Sequence, residues 1–357
     1  MIAVDDFLGS IDVSAIDLCK VFNDDKLLIK TIELDKCDAI TNHIPIVNEG
    51  YIFERSLLDD VLLFLAHPFC DCLYMQGPAG CGKTSLIMQV AGRLEWGVEM
   101  ITLSNKSECL DLIGHQTLRQ GELVFEYGPL ANAMLYGEIL ILNEIDLVSP
   151  GDLAILNDVL EGKPLTIVGN SGEVIYPHNN FRVVATANTK GDGDSTGFYN
   201  GARLLNQAFL DRFRFLLVDY PQYNVEKLML KKNFNTLDDD ICSKLVKFAR
   251  ELRRVMNNSQ KAGISQLSAP FSTRVLLKIG YLMSLDCDIS VKKAINTCYS
   301  LRLPDVEREY VERLCNDIFG HQESNDELIA LKDAIENTQD NLVVETVKKR
   351  GRKKTSI

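Results

Sequence analysis

The run Gly77-Pro-Ala-Gly80-Cys-Gly82-Lys83-Thr84 satisfies the pattern G-x-x-x-x-G-K-[ST], and its chemistry is that of phosphate binding. Glycines let successive backbone N–H groups turn inward around phosphate oxygens, and a helix start adds its positive dipole end. Lys83 then reaches the β- and γ-phosphates, and Thr84 offers a hydroxyl to Mg²⁺. The expected cofactors are ATP and Mg²⁺, held by Gly77, Pro78, Ala79, Gly80, Cys81, Gly82, Lys83, Thr84 and Ser85. Further on, the apolar run Ile139-Leu-Ile-Leu142 ends in Asn143-Glu144-Ile-Asp146. An acid at such a strand end holds the Mg²⁺ shell in related chemistry, and a following Glu polarises the attacking water. Glu144 fits the second role. Asn143 stands where the acid is usual, and it reaches the metal through water without bringing charge. Asp146 is a candidate to compensate, although an offset of three residues puts it on the opposite face of a continuing strand. Asn188 ends a third strand, at the sheet edge where water or a γ-phosphate would be oriented. Arg212, in Phe209-Leu-Asp-Arg-Phe213, and Arg274, in Ser272-Thr-Arg274, are the arginines placed to meet charge developing on phosphate oxygens. Singly, each of these arginines reads more readily as a surface ion pair.

The flanking elements must present these residues along one edge. Phe53–Ala66 has apolar residues at helical spacing and is ended by His67-Pro68; Cys72–Gln76 reads as a buried parallel strand. Helices at 85–94, 130–136 and 151–160 alternate with strands at 98–103, 138–142 and 181–187, which argues for a parallel sheet covered on both faces. Residues 115–127, centred on Gln120-Gly121, and 165–176, with G-N-S-G between β-prone flanks, read as inserted hairpins. Another short strand spans 215–218. After Pro221 the strand signals stop, and residues 222 to about 318 read as helices with breaks at Asn257–Gly263, Pro270 and Pro304. The expected division is an N-terminal extension over 1–45 without a recognisable chemical motif, an α/β core over 46–222, a helical domain over 223–320 and a C-terminal segment over 321–357.

The chain has 357 residues, 46% hydrophobic and 25% charged, the composition of a soluble globular protein. No apolar stretch is long enough for a membrane helix and the start is acidic, so the expected location is the cytoplasm, with no membrane partner. Net charge is −12, but six basic residues lie in the tail Lys348–Lys354. Setting those six aside leaves 32 basic residues against 50 acidic, a balance of −18 on the preceding 347 residues. Such a body disfavours duplex binding, so any nucleic-acid contact is confined to the tail. The ten cysteines are scattered, and Cys70-x-Cys72 has no second pair to complete a zinc site.

The order of these motifs resembles the AAA+ ATPases, and within them the MoxR-like branch with a hairpin in its second helix and another before the first sensor. The resemblance is greatest to ATPase subunits of cobalt-inserting chelatases. It rests on Asp111-Leu-Ile-Gly114, Tyr127-Gly-Pro-Leu130, Asn143-Glu144, Glu173-Val-Ile-Tyr-Pro-His178, Ala185-Thr-Ala-Asn188-Thr, Gly191-Asp-Gly-Asp-Ser-Thr-Gly197-Phe-Tyr and Asn206-Gln-Ala-Phe-Leu-Asp-Arg212-Phe213. It covers residues 46 to about 222. The resemblance implies a P-loop NTPase αβα core with a small all-α lid, Gly77–Thr84 as Walker A, Asn143-Glu144 as Walker B, Asn188 as sensor 1, Arg212 as arginine finger and Arg274 as sensor 2. It also implies a homo-oligomeric ring, typically a hexamer, that hydrolyses ATP to remodel a partner carrying a von Willebrand A domain. Two other readings stay open: a slow nucleotide-gated assembly switch, suggested by Asn143, and a nucleic-acid-linked ATPase using the tail.

Overall fold

The structure is a computed structural model and describes residues 13–35, 43–108, 110–194, 197–199, 201–262, 267–285 and 289–320. The whole 321–357 segment, with its basic tail, lies outside these residues. The chain divides into two compact units: residues 1–233 with Ser272–Arg274, and Phe234–Phe271 with the chain from Val275 onward.

In the first unit the strands are β1 (Val13–Asp17), β2 (Thr31–Asp35), β3 (Cys72–Gln76), β4 (Val98–Thr102), β5 (Gly114–Arg119), β6 (Glu122–Tyr127), β7 (Ile139–Asn143), β8 (Leu165–Ile167), β9 (Glu173–Ile175), β10 (Arg182–Ala187) and β11 (Phe213–Leu217). Five of them form a parallel sheet in the order β11-β3-β10-β7-β4. The central strands are almost wholly apolar because both faces are covered. Alternate residues of β7 serve different layers. Leu140 and Leu142 join Tyr74, Val183 and Ala185 against the helix Pro129–Tyr136. Ile139 and Ile141 join Leu73, Met75 and Val184 against the helices Arg55–Ala66 and Lys83–Arg93. The result is an αβα sandwich.

The two inserted hairpins are β5–β6, turning at Gln120-Gly121, and β8–β9. Both turn residues of the first have positive φ (53° and 90°), the twist that two-residue hairpin loops need. The expected helix over 151–160 is instead broken into Pro150–Leu153, a 3₁₀ turn Ala154–Leu156, and Asn157–Leu160. Leu153, Leu156, Val159 and Leu160 all still reach the core, so tightening the middle turn keeps one apolar face.

The N-terminal residues hold more structure than their sequence suggested. β1 and β2 pair antiparallel around a short helix, Leu18–Phe22, and Leu18, Leu27, Ile32 and Leu34 are buried in the same cluster as the helix Arg55–Ala66.

The second unit is helical. Its first helix runs unbroken over Asp239–Ala262, so the break expected at Asn257 does not occur there; no proline or glycine interrupts it before Gly263. Phe248, Phe271 and Tyr299 stack edge to face, with ring centroids 5.7 and 4.9 Å apart. Tyr299 donates its hydroxyl to the Ala269 carbonyl at 2.7 Å. No described helix is long and apolar enough to cross a membrane.

Candidate phosphate site at the strand ends

β3 runs into Gly77, whose close quarters exclude any side chain: a Cβ there would lie 1.8 Å from the Val218 carbonyl oxygen, just past β11. Gly80 and Gly82 take positive φ, 72° and 109°, so the loop can curl before the helix begins at Lys83. Two tyrosines brace Ala79. Its N–H donates to the Tyr199 hydroxyl oxygen at 3.3 Å, and its carbonyl accepts from the Tyr220 hydroxyl at 3.1 Å. Ser272 and Arg274 close the other side, since a Cβ on Gly80 would stand 2.7 Å from Ser272 Cβ and 3.6 Å from Arg274 Cβ. Cys81 is buried, and that burial pushes its thiol up. Ser85 faces outward on the first helical turn.

Lys83 is buried, and its ammonium donates to the carbonyls of Gly77 (2.7 Å) and Pro78 (3.1 Å) and to Asn188 Oδ1 (3.1 Å). Desolvation lowers its pKa, while Glu144 and Asp146 favour the charged form. Asn188 also donates through Nδ2 to Glu144 Oε2 at 2.8 Å. One amide thus touches both the lysine and the acid. Glu144 sits at φ 57°, ψ 41°, a left-handed conformation rare for a non-glycine residue and the kind of strain that collects at functional sites. Burial, above all, holds its carboxyl above the usual range; Asp146 adds to this, while Lys83 and Arg274 pull the other way.

Asn143 closes β7 beside the loop. Its Oδ1 accepts hydroxyl protons from Thr84 and Thr186, each at 2.9 Å. Thr84 spends its proton there and keeps its oxygen lone pairs for a cation. The donor set therefore suits a hydrated Mg²⁺, with Asn143 an acceptor for bound water and no source of charge.

Asp146 does not point away, because the strand stops at Asn143. The left-handed turn at Glu144 and the 3₁₀ turn Ile145–Leu147 bring its carboxylate back under the end of β10. Its Oδ2 accepts from Asn188 N (3.2 Å), Thr189 N (3.0 Å) and Thr189 Oγ1 (2.9 Å). The residue is 1% exposed and its Oδ1 is buried without a partner. The turn that makes this contact is set by backbone conformation, which the strand pattern did not carry. Thr186, Thr189, Tyr199 and Tyr220 were likewise not singled out for the site.

Arg212 lies elsewhere. It precedes Phe213, which pairs with Cys72 at the start of β3, so it sits about 16 Å of strand from its own Gly77. Its side chain bonds Glu161 at 2.5 Å and the Ala208 carbonyl.

The family described as AAA domain (dynein-related subfamily) matches residues 73–213, and that described as CbbQ/NirQ/NorQ C-terminal matches residues 226–308. An uncharacterized protein of Staphylococcus haemolyticus is 30% identical over 242 residues, covering 66% of this chain and 86% of that protein. The aerobic cobaltochelatase subunit CobS of a Sinorhizobium species is 33% identical over 175 residues, about half of each chain (48% and 52%). A chain of the solved Saccharomyces cerevisiae Hsp104:casein complex superimposes with a TM-score of 0.41 at 16% identity, over 58% of this chain and 44% of that one.

Proposed function

Because the chain belongs to the MoxR-like branch of the AAA+ ATPases, we propose that it binds ATP with Mg²⁺ in the loop Gly77–Ser85 and hydrolyses it within a homo-oligomeric ring, typically of six, to remodel a protein partner. The observation that carries this reading is the chain Lys83–Asn188–Glu144, which sets a phosphate-seeking cation and a water-seeking carboxylate on either side of one amide.

In this reading the backbone N–H groups of the loop and Lys83 bind the phosphates. The chemistry a bound Mg²⁺ supplies is neutralisation of charge on the β- and γ-phosphate oxygens, and Thr84, with Asn143 acting through water, would hold it. Glu144 orients and polarises the attacking water, and its raised carboxyl makes it a better proton acceptor than an exposed acid. Asn188 fixes Glu144. Arg274 stands beside the loop to balance phosphate charge, whereas the remoteness of Arg212 from its own loop supports service in a neighbouring subunit. The relation to a cobaltochelatase subunit supports a protein partner, which we take to carry a von Willebrand A domain.

Phosphate release and nucleotide binding test the proposal together. Wild type with Mg²⁺ should turn over, Lys83→Ala should lose nucleotide binding, and Glu144→Gln should bind without turnover. Wild-type binding with no turnover above the Glu144→Gln background would refute hydrolysis and leave the assembly-switch reading, which the neutral Asn143 favours.

A further inference from the structure

A second cluster of donors lies at the far end of the same strands. Glu138, just before β7, is 1% exposed, and both of its carboxylate oxygens face His43 Nδ1, at 3.0 and 3.2 Å. Glu99 of β4 brings Oε1 to 3.5 Å from the same nitrogen. One ligand atom from each of the three residues lies within 4.8 Å of the others. Gly97 leaves room for the buried acid, since a Cβ there would stand 2.7 Å from Glu138 Oε1.

Charge makes this arrangement unusual. Among the described residues no lysine or arginine pairs with either carboxylate, and His43 is the one cation that acts on Glu99, opposing burial and the neighbouring Glu138. Even an imidazolium supplies one positive charge against two carboxylates, one of them fully buried. A divalent ion with a neutral imidazole cancels both. Bonds of 2.0–2.2 Å to nitrogen and oxygen in a tetrahedral shell put neighbouring donors about 3.4 Å apart; the two histidine–carboxylate separations are 3.0 and 3.5 Å, and all three atoms lie within 4.8 Å of one another.

We propose that His43, Glu99 and Glu138 form a binding site for a divalent transition-metal ion of the Zn²⁺ class, which ties the chain at residue 43 to the starts of two adjacent strands. Imidazole with two carboxylates favours Zn²⁺ or Co²⁺ over Mg²⁺ or Ca²⁺. The site stands about 15 Å of strand from Asn143, so it is separate from the cation expected beside Thr84.

The test uses the full chain, stripped with chelator and kept free of nucleotide, so its outcome does not depend on ATP hydrolysis. Calorimetric titration with Zn²⁺ should show a site that both Glu99→Gln and His43→Gln lose, each variant binding one equivalent less than wild type. Co²⁺ in wild type should give ligand-field bands without a thiolate charge-transfer band. Zn²⁺ should raise the wild-type melting temperature and leave that of the variants unchanged. Equal stoichiometry in all three proteins, a thiolate band, or no saturable binding would overturn the proposal and leave a plain histidine–carboxylate pair. Two variants at partly exposed positions guard against one failing to fold.

Discussion

Replacing Asp146 by alanine removes the acceptor of three hydrogen bonds at once, two from the backbone N–H groups of Asn188 and Thr189 and one from the Thr189 hydroxyl. The hydroxyl can rotate toward another acceptor; the two amides cannot. Each buried donor left unmade costs about 1–3 kcal/mol. Part of that is returned because Glu144 no longer faces a like charge, so the net loss is about 3 kcal/mol. For a unit of this size, such a loss lowers the melting temperature by about 6–12 °C. The kinetic effect is larger. Asn188 is held by its own backbone N–H to Asp146, and a shift of about 1 Å in a positioning group costs on the order of 100-fold in rate. Turnover should therefore fall about 100-fold, while affinity for a fluorescent ATP analogue, governed by Lys83 and the loop backbone, holds. Asp146→Asn keeps an oxygen in the Oδ2 position and should recover most of the melting temperature. Phosphate release, analogue titration and thermal scans on the three proteins check this, and an alanine variant with unchanged turnover and unchanged melting temperature would refute the positioning role of Asp146.

Other consequences follow from the same geometry. Because the Glu144 carboxyl titrates above its ordinary range and must be ionised to accept a proton, the acid limb of the turnover profile should lie above the usual carboxylate range; Asp146→Asn removes one of the causes and should move that limb to lower pH, as a pH–rate series would show. Asn143→Asp keeps both hydroxyl contacts and adds charge beside Thr84; a rise in turnover of about 10-fold or more marks a chain held slow by its amide, and an unchanged rate marks a motor that does not need the charge. Arg212→Ala, mixed with wild type in increasing proportion, should depress turnover more than its share of subunits, because the side chain lies too far from its own loop; a strictly proportional decline would argue against service between subunits.

The α/β core was legible because its signals are local. Cys72–Gln76 and Ile139–Asn143 are apolar without alternation, the mark of strands buried on both faces, and the glycines and proline between them fix the turns. The candidate site was legible for the same reason, since Lys83, Thr84, Asn143, Glu144 and Asn188 all lie at strand ends or on the first turn of the next helix. Asp146 was not, because its placement depends on Glu144 taking a left-handed conformation that no residue pattern announces. The pair β1 and β2 was not legible because strands of five residues around a five-residue helix carry little periodicity, and their support comes from distant residues: burial of Leu18 and Ile32 against the helix Arg55–Ala66 and hydrogen bonds between Asp35 and Asn180. The helix across Asn257 shows the converse: asparagine and serine favour caps and turns, yet propensity is a weak prior and does not end a helix already 18 residues long.

The carboxamide of Asn188 has a consequence for how the site keeps its two opposite charges usable. An amide can accept from an ammonium with one end and donate to a carboxylate with the other, and here it does both while remaining neutral. It is a spacer between charges that would otherwise neutralise each other. With alanine in its place, Lys83 and Glu144 are free to collapse into a direct ion pair, in which the cation is no longer offered to phosphate nor the anion to water. Serine is too short to span the gap, and aspartate would hold the lysine while repelling the glutamate. The identity of residue 188 thus decides whether the site stores its charges apart or short-circuits them.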